Sequence, residues 1–134
     1  PTQMIDTVIA RPYGPAPESN TMYGLMAQAI DDAIDAGATV SVGVETDVKG
    51  PSYVWELEAM ASAMSPMRIS ESASLHGARA LGMEADIGSL SVGKLADFLI
   101  LSADPLADIR NVAALDYVVK GGVAVLESSI ALKN

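Results

Sequence analysis

Few side chains in this sequence could do chemistry. There is one histidine, His76, there is no cysteine, and among the carboxylates Glu45, Asp47 and Glu56 stand out by position. Asp47 follows the β-rich run Thr39-Val40-Ser41-Val42-Gly43-Val44. If that run is a parallel strand of an α/β fold, the carboxylate lies at its C-terminal end, the edge where binding and catalytic side chains gather. There it could bind a metal or take a proton from metal-bound water. A plain turn at Thr46-Asp47 is the alternative, and Glu45, two residues earlier, is a rival carboxylate. Glu56, in Trp55-Glu56-Leu57, falls on the helix expected after this loop and could face a substrate pocket or simply meet solvent. His76 could be a ligand or proton shuttle, but no second His or Cys stands at ligand spacing, so a structural or surface role is expected.

Composition bounds the rest. The 134 residues suit one domain with a real core, yet they are about half of the roughly 250 that a complete (β/α)8 barrel uses. A net charge of -9, from 17 acidic and 8 basic side chains, argues against nucleic acid as a partner, because phosphate binding needs a Lys/Arg surplus. The lack of cysteine removes disulfides and thiolate chemistry and fits a cytoplasmic protein. No apolar run approaches the roughly 18 residues of a spanning helix, so no membrane partner is expected. One histidine cannot supply the several that a hydrolytic metal centre commonly takes.

These residues must be positioned by a short list of elements. Ile5 to Ala10 reads as a strand leading into a Pro-rich loop. Met22, Leu25, Met26, Ala29, Ile30, Ala33 and Ile34 recur at the spacing of one helical face, and Gly37 closes that helix. After the Thr39–Val44 strand, a helix is expected from about Tyr53 to Met64. Ser65-Pro66 restarts a helix as N-cap and first residue, Ser74 can cap another, and Gly82 ends it. Met22, Met26, Met60, Met64 and Met67 are expected to pack in the core. From Ile87 helical periodicity gives way to turns, then to the strand Phe98–Leu101 and a hairpin at Gly121-Gly122. The chain thus divides into an α/β part, residues 1–86, and a β-rich part, residues 87–134. Gly88 and Gly93 match no phosphate-loop pattern.

The run Gly88-Ser89-Leu90-Ser91-Val92-Gly93-Lys94-Leu95-Ala96-Asp97 resembles the G-S-L-x-x-G-K-x-A-D stretch of the metal-dependent amidohydrolases. Ser65-Pro66-Met67, Ala73-Ser74 and Gly77-Ala78-Arg79-Ala80-Leu81-Gly82 are similar to the family segment before it, and Asp104-Pro105-Leu106-Ala107-Asp108-Ile109 and Val118-Val119-Lys120-Gly121-Gly122 to those after it. The resemblance covers residues 37–126 closely and 1–36 loosely. On Trp55-Glu56-Leu57 and the spacing from Gly43 to Gly50 it leans to the imidazolonepropionase-like and tricorn-associated branch.

That resemblance implies an α/β fold: the C-terminal αβ units of a TIM-type (β/α)8 barrel, in residues 1–86, and a small β-sandwich segment in 87–134. It implies a hydrolase of C–N bonds in small-molecule amide, cyclic-amide or dipeptide-like substrates, with zinc or a similar divalent metal in the complete enzyme. The family's H-x-H pair, bridging Lys or Glu and two further His have no counterpart here, so no metal is expected on this chain alone and it is expected to be inactive alone. Asp47 takes the place of the last-strand aspartate, the metal-linked general base. Gly43-Val44-Glu45-Thr46-Asp47 carries two more residues than the family's G-T-D, which keeps Glu45 in contention. Lys94 and Asp97, an apparent acid–base pair, fall in the turn from barrel to sandwich, where hydrogen bonding within the turn is expected. The expected partner is the remaining barrel segment, or a second copy, meeting Thr39–Val44 and the Met22–Ile34 helix. The alternative is a non-catalytic interaction module docking onto a barrel partner chain.

Overall fold

Residues 22–45 and 51–126 are described by the structure, a computed structural model. The helices α1 (Met22–Asp35), α2 (Pro51–Met60), α3 (Pro66–Ala73) and α4 (Leu75–Ala80) come first. The strands β1 (Phe98–Leu101), β2 (Leu115–Lys120) and β3 (Val123–Leu126) follow, with a 3-10 helix at Ile109–Ala113 between β1 and β2.

Helix α1 ends as its glycine suggests: Gly37 N donates to Ile34 O at 2.9 Å and Ala38 N to Ala33 O at 2.9 Å, the paired bonds of a Schellman motif. Its packing face differs from the periodic one. Ile30 and Ile34 pack on the core, but in the first two turns the small Gly24 and Ala27 are buried, while Met22 is 75% and Leu25 64% exposed. The apolar stripe thus continues past the end of the surface it packs on.

Helix α2 starts at Pro51, where a missing N–H costs nothing in the first turn, and stops at Met60, short of the expected Met64. The chain then tightens into turns: Ser62 N donates to Ala59 O at 3.2 Å, and the Ser62 hydroxyl reaches the same carbonyl at 2.7 Å. Ser65 caps α3 as expected, its Oγ accepting from Arg68 N at 3.3 Å, with Pro66 at the first helical position. Ser74 does not cap α4. Its hydroxyl donates backward to Ser70 O at 2.6 Å, so the break between the two helices is a kink rather than a capped restart.

A core of Leu57, Met60, Met64, Ile69 and Ile109 joins α2 and α3 to the 3-10 helix, with Ile30, Ile34, Val42, Ala73 and Val112 packed around it. Met60 and Met64 fill this core, but Met22, Met26 and Met67 are exposed, contrary to the packing role expected of all five. Helix α3 is tied to α1 by one guanidinium. Arg68 Nη1 lies 2.8 Å from Oδ1 of both Asp31 and Asp35, carboxylates one helical turn apart, and these bonds raise its pKa further.

Residues 39–44, expected as a parallel strand, have no ladder partner among the described residues. A parallel strand exists only through its neighbours, and here Val42 N donates instead to Ser72 O at 3.4 Å. The C-terminal sheet is antiparallel in the order β1-β2-β3. Phe98 pairs with Val119 and Leu101 with Leu115, with an irregularity between Ile100 and Leu101, and Tyr117 pairs with Leu126. The β2–β3 connection is the expected primed hairpin: Gly121 and Gly122 both have positive φ, 56° and 81°, which a type I′ turn demands. The chain is therefore mixed α/β with a small antiparallel sheet.

Candidate functional site

Asp47 lies outside the described residues. Glu45 is exposed at the end of the segment leading to it, and Glu56 is exposed on α2. Neither meets a partner among the described residues. Tyr53, three residues before Glu56, is held more firmly: its hydroxyl donates to Ala73 O at 3.4 Å, and partial burial raises its pKa. Leu57 and Met60 anchor α2 in the core, so α2 is a rigid element with Glu56 on its exposed side.

Lys94 and Asp97 do not face each other. Lys94 Nζ donates to Ser89 Oγ at 2.8 Å and to Ile87 O at 3.3 Å, closing the turn from within. Leu95 N donates to Asp86 O at 2.8 Å across the same turn. Asp97 Oδ1 accepts from Gly121 N at 2.7 Å, and Oδ2 pairs with Lys120. Gly122 N donates to Ala96 O at 3.0 Å. These bonds clasp the hairpin tip to the start of β1, and both residues serve the turn.

Hydrogen bonding from Lys120 first, and from the Gly121 amide second, holds the Asp97 carboxyl below its ordinary pKa. A carboxyl whose pKa is depressed on folding stabilises the fold fully above its unfolded pKa, near 3.9, and loses that contribution as pH falls through the lower folded value. Asp97→Asn is therefore expected to lower the urea midpoint at neutral pH, with the gap to wild type closing below about pH 4. Urea titrations at both pH values check this. A gap unchanged in acid would mean that the carboxylate's charge has no part in the clasp.

His76 is buried, and its Nδ1 meets no hydrogen-bond partner among the described residues; the hydroxyl of Ser72 is in the same condition. Sequence reading placed His76 as structural or surface and passed over Ser72, although a signal was present. Ile69, Ser72, Ala73 and His76 recur at i, i+3, i+4, i+7, the stripe of a buried helical face, and the structure buries Ile69, Ser72 and His76. Among the described residues no three His, Cys, Asp or Glu side chains converge as a metal site. The described donors thus do not fit a zinc-type centre by themselves. No helix among them is long and apolar enough to cross a membrane.

The Gly88 turn is the most constrained part of this region. Gly88 sits at φ +88°, and a Cβ built there would lie 2.5 Å from Ala78 Cβ and 3.2 Å from Leu75 Cα and Ser74 O. The turn is thus seated directly on the kink between α3 and α4. It joins the helical half to the sheet.

Comparison with known proteins agrees with these features. Residues 8–125 match the model of the amidohydrolase family. The chain is 39% identical over 74 residues to the imidazolonepropionase of Symbiobacterium thermophilum, covering 52% of this chain and 17% of that protein. It is 29% identical over 121 residues to the imidazolonepropionase of Alkaliphilus metalliredigens, covering 84% of this chain and 28% of that protein. A crystal structure of a Xaa-Pro dipeptidase with methionine bound in its active site superposes with a TM-score of 0.66 at 26% identity, over 75% of this chain and 25% of that one. The chain spans between a sixth and just over a quarter of the length of these proteins. With the turn from Gly88 to Asp97 seated on the α3–α4 kink and a family match across most of its length, this chain belongs to the amidohydrolase family.

Proposed function

We propose that this chain is the C-terminal portion of a cytoplasmic, metal-dependent amidohydrolase that cleaves C–N bonds in amide, cyclic-amide or dipeptide-like substrates, and that it is inactive alone. The observation that carries this reading is a family match over residues 8–125 in a chain spanning about a quarter of its relatives. Residues 39–44 then form the last barrel strand, paired on its edges by upstream segments, and Asp47 stands at its C-terminal end. Asp47 is the general base that takes the proton from the attacking water, and Glu56, on the helix after the site loop, contacts substrate. The zinc-type ions of such an enzyme have to be held largely by ligands outside the described residues, since these assemble no donor set.

The second reading, an interaction module without catalysis, shares one observation with the first. Apolar side chains are exposed on α1, at Met22, Leu25 and Met26, and on the sheet, at Leu99, Val123 and Leu126. A barrel remainder, a second copy or a separate partner chain would each cover them.

Upstream coding sequence separates the two readings. The catalytic reading expects in-frame codons for an H-x-H strand. The polypeptide so extended is expected to hydrolyse a panel of Xaa-Pro dipeptides, N-acyl amino acids and cyclic amides, whereas the 134-residue chain gives no turnover. An extended polypeptide without the H-x-H strand, or without activity on the whole panel, would favour the module.

A further inference from the structure

An α-helix leaves its last four carbonyls without a partner inside the helix. In α3 these belong to Ser70, Glu71, Ser72 and Ala73. Ser70 O takes the Ser74 hydroxyl at 2.6 Å and Glu71 O takes the Ser74 N–H at 3.3 Å, so the residue at the kink closes two of them. The other two are filled from distant parts of the chain. Ser72 O accepts from Val42 N at 3.4 Å, and Ala73 O accepts from the Tyr53 hydroxyl at 3.4 Å.

Val42 and Tyr53 stand on opposite sides of residues 46–50 in the sequence. Both fasten to adjacent carbonyls of one helix end, Val42 through its main chain and Tyr53 through its side chain. That helix end is a firm base, since Ile69 of α3 is wholly buried in the core and Arg68 ties α3 to Asp31 and Asp35 of α1. Helix α2 is held unevenly. Its buried residues, Leu57 and Met60, lie in its second half, and the Tyr53 hydroxyl adds a tie in its first turn. Partial burial raises the Tyr53 pKa, which keeps on the hydroxyl the proton that this bond needs.

We infer that Tyr53 is a positioning residue for Asp47: by tying the first turn of α2 to the end of α3, its hydroxyl fixes the point at which the loop carrying Asp47 returns to the fold. The inference rests on the reading of Asp47 as the general base and adds to it the side chain that holds the loop's exit. A general base must stand within hydrogen-bond reach of the proton it takes, so a small displacement of the backbone that carries it lowers the rate. Tyr53 acts through that backbone and touches no reacting atom.

Tyr53→Phe removes the hydroxyl and keeps the ring. In the extended enzyme it is expected to lower kcat by about five- to thirtyfold with KM near wild type. Amide hydrogen exchange in peptides spanning residues 42–57 is expected to quicken about fivefold, the effect of one lost hydrogen bond on local opening. Ser62→Ala is the control. It removes a hydroxyl–carbonyl bond of 2.7 Å past the other end of α2, and it is expected to lower the urea midpoint while kcat stays at the wild-type value. A folded Tyr53→Phe enzyme with wild-type kcat would overturn the inference. So would an equal loss of kcat in Ser62→Ala, which would mean that any loosening of α2 suffices. Exchange needs no turnover. If the extended polypeptide is inactive on the whole panel, the functional reading fails, and exchange alone decides the tie: quickened exchange in Tyr53→Phe upholds it and unchanged exchange overturns it.

Discussion

Asp47→Asn in the extended enzyme is expected to lower kcat by about 10²- to 10⁴-fold, the range typical of a lost general base. Asparagine keeps the size and most of the hydrogen bonding of the carboxylate but cannot take the proton from the attacking water. Because the interaction removed develops in the transition state, kcat and kcat/KM fall together and KM stays near wild type. Glu45→Gln is the matched control, since Glu45 occupies the base position if the strand register is shifted by two residues. It is expected to retain activity near wild type. Steady-state kinetics on the best substrate of the panel decides between them. An active Asp47→Asn with an inactive Glu45→Gln would transfer the base to Glu45, and two active variants would remove the last-strand carboxylate from the mechanism.

Gly88→Ala is expected to destabilise the fold by about 2–5 kcal/mol. Two costs add. The positive φ of 88° disfavours any L side chain, and the new Cβ would meet Ala78 Cβ at 2.5 Å and backbone atoms of Leu75 and Ser74 at 3.2 Å. No flexible side-chain end is there to move aside, so the turn must lift from the α3–α4 kink. Gly93→Ala separates the two costs: its φ is also positive, 96°, but nothing lies within 4 Å of the built Cβ. It is expected to cost about 1–2 kcal/mol. Ala78→Gly in the Gly88→Ala background is expected to recover part of the loss. Urea midpoints of the four proteins check this, and equal costs at Gly88 and Gly93 would mean that the turn is not seated on the helices.

Much of the local structure was legible in the residues because it is determined locally. Ser65-Pro66 starts α3, Gly121-Gly122 turns the hairpin, and Gly37 and Gly82 end helices through short-range bonds that need no tertiary partner. The family, too, was readable from the Gly88–Asp97 turn, because a tight turn restricts residue types at fixed offsets.

Tertiary structure decided which faces pack. The stripe from Met22 to Ile34 has uniform helical period, yet only its second half meets the core; periodicity tells which residues share a face and nothing about how far the opposing surface extends. Ser74 reads as an N-cap by type, but its hydroxyl found a closer acceptor one turn back. Lys94 and Asp97, three residues apart, look like a pair, and folding sent one into its own turn and the other to Lys120, 23 residues away in sequence.

For the candidate site, the sequence by itself determined the available chemistry: two neighbouring carboxylates, one histidine and no thiol, too few donors for a hydrolytic metal centre. Only the fold decided that His76 and Ser72 are buried, with Ser72 Oγ and His76 Nδ1 unpartnered among the described residues. Burial is a property of what packs against a residue from elsewhere in the chain, and no local pattern of residue types specifies it alone.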